Sequence, residues 1–255
     1  MTEVHLTGFG PFHNVPENPS KLLAEYYADH LKEHGLTSST VIEVSTEGVE
    51  VYLKNMKEQL LTRINSESFK DKKIILLHYG VSASSKRYEI ETRGKNEASF
   101  RAPDQRGHQP TLLPIDSLHP IEHWRSTTIP VNLITQNVNQ TLSQESSGHK
   151  PLSTFSPVKV IQATKDPLPF GQVVENVEEE KESENLFLFE SNNAGLFLCN
   201  YLYYASLKMC EELNSIPNSN FNLKSVFVHI PSHNTISFDQ QRIFSDTLLR
   251  ELVKN

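Results

Sequence analysis

Residues Lys73–Val81 read KIILLHYGV. A strand with one solvated face would alternate apolar and polar side chains. This run does not alternate, so it suits the centre of a sheet covered on both faces. Such a sheet needs helices on either side, and the flanking sequence supplies them.

Upstream, Val4–Gly8 reads as a first strand entering a glycine turn. Asn18-Pro19-Ser20 then opens a helix, with Asn18 as N-cap and Pro19 at the first helical position. Leu22, Leu23, Tyr26, Tyr27 and Leu31 follow at helical spacing, and Gly35 ends the run. Thr40–Ser45 reads as a second strand. Leu53, Met56, Leu60, Leu61 and Ile64 mark a second amphipathic helix. Downstream, Ser82–Leu118 has scattered Gly and Pro and little periodicity, and loops this long inside compact domains are often functional. Pro130 opens a helix through Ile134 and Val138. Leu186–Glu190 has strand character, and Asn192-Asn193-Ala194-Gly195 leads into a helix from about Leu196 to Leu213. Ser225–Ile230 is a further apolar strand, stopped by Pro231, and a last helix runs from about Ser237 to Val253. The alternation predicts an α/β fold, a three-layer α/β/α sandwich with a mostly parallel sheet, built as one domain over residues 1–255. Catalytic groups in such folds gather where loops leave the strand ends, here after Leu6, Val81, Glu190 and Ile230. Residues 144–184 differ in composition: Ser, Pro and Lys are common, and Glu178-Glu179-Glu180-Lys181-Glu182 is a charge run. They read as a solvated insertion with one strand at Val158–Ala163.

The chain is mildly acidic, with a net charge of −7 and no basic run, which argues against nucleic acid as the main partner. No apolar stretch is long enough to span a bilayer. Met1–Phe9 has neither the basic nor the apolar region of a signal peptide. The two cysteines, Cys199 and Cys210, lie 11 residues apart in one expected helix. At about 1.5 Å of rise per residue they are too far apart for a disulfide. Free thiols without an export signal predict a cytoplasmic setting, in which the Asn139-Gln140-Thr141 sequon carries little weight.

Three residues can carry nucleophilic chemistry. Cys199 lies early in its helix, where the helix dipole favours a thiolate. His229 ends a strand and can take and return a proton. Glu91 follows an alternating stretch in which Glu89 and Glu91 share one face, and a carboxylate there can orient an imidazole. Taken singly, each has a plainer reading: a buried apolar thiol, a hydrogen-bonded core histidine and a surface charge. Thr7-Gly8-Phe9-Gly10-Pro11-Phe12 is a glycine turn straight after a strand. It is a poor dinucleotide fingerprint, because His13 stands where a third Gly is needed. It reads equally as a rigid wall displaying Phe9 and Phe12 to a substrate or as two core rings.

Taken together, an ordered set of segments resembles the pyroglutamyl peptidase I family of cysteine peptidases. The segments are TGFGPF (Thr7–Phe12), NPS (Asn18–Ser20), HYGVS (His78–Ser82), Glu91 with Asn96, FRAPDQRG (Phe100–Gly107), STTIPV (Ser126–Val131), SNNAGLFLCN (Ser191–Asn200) and FVHIP (Phe227–Pro231). The resemblance implies Cys199 as nucleophile, His229 as general base and acid, and Glu91 as the third triad member. It implies that Phe9 and Phe12 hold the pyroglutamyl ring and that Arg101 lies beside the site. It also implies a phosphorylase/hydrolase-like fold, no cofactor and no metal, peptides with N-terminal pyroglutamate as substrates, no nucleic-acid or membrane partner, and a homo-oligomer. Three features depart from the family pattern: the insertion at about 144–184, Val81 where many bacterial members carry Gln, and the lack of glycines in Ala83-Ser84-Ser85-Lys86. Two alternatives stand beside this reading, a nucleoside phosphorylase-like enzyme on the same fold and a catalytically silent homologue that binds a partner.

Overall fold

The KIILLHYGV run lies in β3 (Lys72–Val81), whose neighbours are β1 (Thr2–Phe9) and β8 (Phe221–Ile230), both parallel to it. The structure is a computed structural model that describes residues 2–12, 15–64, 69, 71–82, 85–148, 187–217 and 221–255. The remaining elements are α1 (Pro19–Asp29), α2 (Leu31–His34), β2 (Ser38–Ile42), α3 (Thr46–Arg63), β4 (Tyr88–Glu91), β5 (Arg93–Lys95), β6 (Trp124–Ser126), α4 (Val131–Gly148), β7 (Leu188–Ser191), α5 (Leu198–Asn214) and α6 (Phe238–Lys254). Among the described residues the main sheet runs in the order β2-β1-β3-β8-β4-β7. Its strands are parallel except that β4 meets β8 antiparallel, and β7 follows the direction of β4. β5 and β6 form a separate antiparallel pair.

Alternate residues of β3 serve two cores. Ile75, Leu77 and Tyr79 pack with α1, α4 and α6 through Leu23, Ile134, Val138 and Leu248. Ile74 and Leu76 pack under α3 and α5 with Met56, Leu60 and Leu213. Both faces are therefore covered, and the α/β/α sandwich stands as expected.

Asn18 caps α1 by accepting from the Ser20 N–H, and Pro19 begins the helix. The helical run splits at His30, and the short α2 ends at Gly35, whose φ of 68° lies in the left-handed region. The second strand sits earlier than Thr40–Ser45 implies: it is Ser38–Ile42, and Ser45 is instead the N-cap of α3, accepting from the Gly48 N–H. Apolar character carries on through Val44, but the Ser45 hydroxyl satisfies a helix donor and so starts the helix. Residues 144–148 complete α4, and the rest of the expected insertion, with its strand at 158–163, lies outside the described residues. Asn139 of the sequon is buried. Its side chain accepts from the N–H groups of Phe187 and Leu188 and donates to the Leu188 carbonyl, tying α4 to β7.

Gly8 governs how closely α1 approaches the sheet. A Cβ at this position would lie 1.9 Å from the Ser20 carbonyl oxygen, whereas one at Gly10 would meet nothing nearer than 3.6 Å. Gly8→Ala is therefore expected to cost about 1–3 kcal/mol by overpacking, and Gly10→Ala much less. Denaturant midpoints of the two variants test this, and equal midpoints would show that α1 moves away at little cost.

Candidate active site

Gly195, with φ 76°, turns the chain out of β7 and into α5, and the Asn193 side chain accepts from its N–H. Cys199 is the second residue of α5 and is half-buried. Phe197 occupies the N-cap position and no side chain caps the helix, so its positive end remains directed at the site. Beneath the thiol lies Gly80 of β3. A Cβ there would stand 2.9 Å from Cys199 Sγ and 2.6 Å from the edge of the Phe227 ring. Any larger residue at position 80 would push α5 off the sheet.

His229 lies opposite Gly80 on β8, and its side chain is hydrogen-bonded to the Cys199 thiol. On the other side its Nδ1–H donates to Glu91 Oε1 at 2.8 Å. Glu91 is directly opposite Phe227 on the antiparallel partner strand, so it reaches His229 as a diagonal neighbour on the same face. The carboxylate is wholly buried, at 0% exposure, which corrects the surface-charge reading of this position. It is Glu89 that stays partly exposed, paired with Arg87. Glu91 Oε2 has no hydrogen-bond partner, and the Tyr203 hydroxyl donates to the Glu91 backbone carbonyl at 2.7 Å.

Burial of the His229 ring opposes its charge. The interaction with Cys199, the hydrogen bond to it and the Glu91 carboxylate outweigh that burial and push the ring up to about 10. The arrangement thus favours the charged form of the His229 ring.

The aromatic residues collect beside this line. Phe9 is 4% exposed and belongs to the core cluster that Phe12, Phe197 and Cys199 flank. The Phe197 ring lies 5.1 Å from Phe12 and 4.8 Å from Phe100. Phe9 therefore sits as a core ring, and Phe197 and Phe100 are aromatic neighbours of Phe12 and the cysteine that the sequence reading passed over. Their signal was available, since Phe197 stands two residues before the cysteine. Arg101 follows Phe100, is exposed, and makes no hydrogen bond or ion pair with a described residue. Its loop is held firmly. Asp104 accepts from the N–H groups of Thr46, Arg106 and His108, and the Gln105 side chain donates to the Pro11 carbonyl at 2.6 Å. Asn200, next to the cysteine, was also missed. Buried, it accepts from the Lys95 N–H and donates to the carbonyls of Lys95 and Glu97, so it fastens β5 to the first turn of α5.

Cys210 lies on the same helix but packs among Met56, Leu60, Ile74 and Leu213. Burial pushes its thiol well above the ordinary range, so it stays neutral.

No family model matches the chain. Among curated proteins it is 22% identical to the pyrrolidone-carboxylate peptidase of Thermococcus litoralis over 91% of this chain and 77% of that protein. It is 23% identical to pyrrolidone-carboxylate peptidase 1 of Caldanaerobacter subterraneus over 90% of this chain and 82% of that one. Among solved structures, the pyrrolidone carboxyl peptidase of T. litoralis superposes with a TM-score of 0.68 at 18% identity, covering 100% of this chain and 94% of its own. Pyroglutamyl peptidase I of Bacillus amyloliquefaciens gives 0.64 at 18% identity, covering 99% and 97%. In sequence and in fold the chain is similar to pyrrolidone-carboxylate peptidases. Among the described residues, no helix is long and apolar enough to cross a membrane.

The raised His229 value has a measurable consequence. Because the folded-state pKa lies above the ordinary 6.5, the charged ring stabilises the fold fully below about pH 6.5, and that contribution is lost as pH rises through about 10. In Cys199→Ala the interaction with the sulfur is gone while burial persists, so the ring should titrate at lower pH. NMR titration of the His229 ring in both proteins tests this, and superimposable curves would mean that the thiol does not hold the proton in place.

Proposed function

We propose that this chain removes an N-terminal pyroglutamyl residue from peptides by acyl transfer through Cys199. The observation that carries the proposal is the unbroken hydrogen-bonded line from the Cys199 thiol through His229 to the buried carboxylate of Glu91. The relatives' names support the same activity.

In this mechanism His229 holds the thiol proton while the sulfur bonds to the carbonyl carbon of the pyroglutamyl residue. The carbonyl electron pair moves onto oxygen. The uncapped start of α5 offers N–H groups to that oxygen, and Arg101 at the rim is the side chain we assign to support it. When the tetrahedral centre collapses, the carbon–nitrogen bond breaks and His229 gives its proton to the departing amine. Water then attacks the thioester, His229 takes a proton from it, and the carbon–sulfur bond breaks to release pyroglutamate. Glu91 keeps the imidazole oriented and balances its charge in each half-reaction.

The lactam ring carries no ammonium group, so it suits a slot walled by Phe9, Phe12 and Phe197. A peptide with a free, charged N-terminus would lose its hydration there without gaining a partner.

Release of fluorophore from a pyroglutamyl coumarylamide, but not from the glutamyl analogue, is the expected result. Cys199→Ala should fold normally and be inactive, and Cys210→Ala should lose some stability but little turnover. Iodoacetamide at neutral pH should label Cys199 first, with inactivation following that label. A fully active Cys199→Ala would end the cysteine-peptidase reading.

Glu91→Gln keeps the side-chain shape and removes the charge. We expect kcat to fall by about 10²–10⁴-fold with KM little changed. Steady-state kinetics on folded variant protein decides the point, and near-normal turnover would remove Glu91 from the mechanism.

A further inference from the structure

Away from the peptidase site, the stretch His119-Pro120-Ile121-Glu122-His123 brings two imidazoles face to face, with ring centroids 4.2 Å apart and planes tilted by 32°. The same H-x-x-E-H spacing on a helix presents two histidines to one zinc ion. Here it lies on a turn, fixed from behind by Asn96, whose amide donates to the carbonyls of Asp116, His119 and Pro120.

Each ring is anchored by its Nδ1 edge. His119 Nδ1–H donates to Asp116 Oδ2 at 3.0 Å, and His123 Nδ1 lies 2.8 Å from the Tyr204 hydroxyl. Those two anchors belong to one wall. Arg125 bonds Asp116 at 3.0 Å, and its guanidinium lies 5.1 Å from the centre of the Tyr204 ring. With both Nδ1 edges held against this wall, both Nε2 edges turn away from it together. Neither Nε2 has a partner among the described residues, and both side chains are half-exposed.

We propose that His119 and His123 form a two-histidine site for a divalent transition ion of the zinc or copper class, bound through both Nε2 atoms. A histidine whose Nδ1–H is held by a carboxylate or hydroxyl is the arrangement that orients a metal-binding imidazole and raises its basicity. For His123 this requires the tautomer in which Nδ1–H donates to the Tyr204 oxygen. With metal–nitrogen bonds of about 2.0–2.1 Å each ring centre would stand about 3.2 Å from a shared ion, and centroids 4.2 Å apart would then subtend an angle of about 80° at that ion.

The surrounding charges permit a cation. Arg125 and Lys208 face the pair, but they are engaged by Asp116, Glu211 and Glu212, and Lys57 also pairs with Glu212, so three carboxylates balance three positive groups. Glu122 is exposed on the same turn. No third His, Cys, Asp or Glu joins the group among the described residues, so water completes the coordination sphere.

The full chain carrying Cys199→Ala, which removes the competing reactive thiol, serves for the test. Calorimetric titration with Zn²⁺ at pH 7.5 should show one ion per chain. His119→Ala and His123→Ala should each weaken binding by at least about 10-fold, and Tyr204→Phe should weaken it by a smaller factor. With one equivalent of Cu²⁺, electron paramagnetic resonance should show two imidazole nitrogens. Unchanged Zn²⁺ affinity in the double histidine variant would overturn the site, as would a Cu²⁺ spectrum with fewer than two nitrogens. The half-exposed rings make a folding failure easy to recognise, because circular dichroism of each variant should match the parent.

Discussion

Helix α5 reaches the sheet where it does because Gly80 has no side chain. The Cys199 sulfur and the Phe227 ring occupy the space that a Cβ would take. That contact fixes the height of the Cys199 thiol above β3, and the neighbouring strands then set everything else. Gly80 pairs with His229 on β8, and β8 pairs with β4, which runs the other way. The reversal matters. It brings Glu91 in one layer below the imidazole, opposite Phe227, so the carboxylate meets the ring from inside the protein. A fully buried acid is the direct result of an antiparallel strand at this position in an otherwise parallel half-sheet.

A buried carboxylate is costly unless it is paired. Glu91 spends one oxygen on His229 and leaves the other without a partner, so its tolerance inside the sheet depends on the ring carrying positive charge. The ring is equally unable to stay charged alone. Each member of the line is therefore tolerable only because of the next, and the helix end completes it by supplying the thiol. Tyr203, one turn beyond Cys199, bonds the backbone of Glu91 and joins the nucleophile's helix directly to the acid's strand. Stability and chemistry share the same contacts here, which is why loss of any one member should disturb the others more than its own bonds suggest.

The fold was largely legible because its signals are local. An unbroken apolar run gave β3, and Asn18 before Pro19 gave the start of α1. The site was only partly legible, because its decisive contacts are long-range. Glu91 and Glu89 alternate along a short strand with nothing to mark either as buried, and the partner that decides the matter lies 138 residues away. Residue type also misleads at the asparagines. Asn96, Asn139 and Asn200 are polar in type, yet each is buried and uses its amide as a substitute for backbone, satisfying N–H and C=O groups of a neighbouring segment. Such joints let the irregular stretch from Asn96 to Arg125 hold a fixed shape without regular structure, and no periodicity reports them.

Histidine itself shows why a sequence position cannot assign a base. His78 lies two residues before Gly80 on β3, in the strand that supports the site, and is as deeply buried as His229. Its Nδ1 meets only the neutral Thr7 hydroxyl at 2.8 Å, and burial drives it down to about 3. His5, bonded to Ser38, is driven to about 4 for the same reason. His229 is pushed the other way by its interactions with Cys199 and Glu91. Burial supplies a large shift in every case, and only the charge of the neighbours fixes its sign. Among these three buried rings, His229 alone can hold a proton at neutral pH and still give it to a leaving amine. The antiparallel junction of β4 with β8, by placing Glu91 beside that ring, is what distinguishes His229 from the other two.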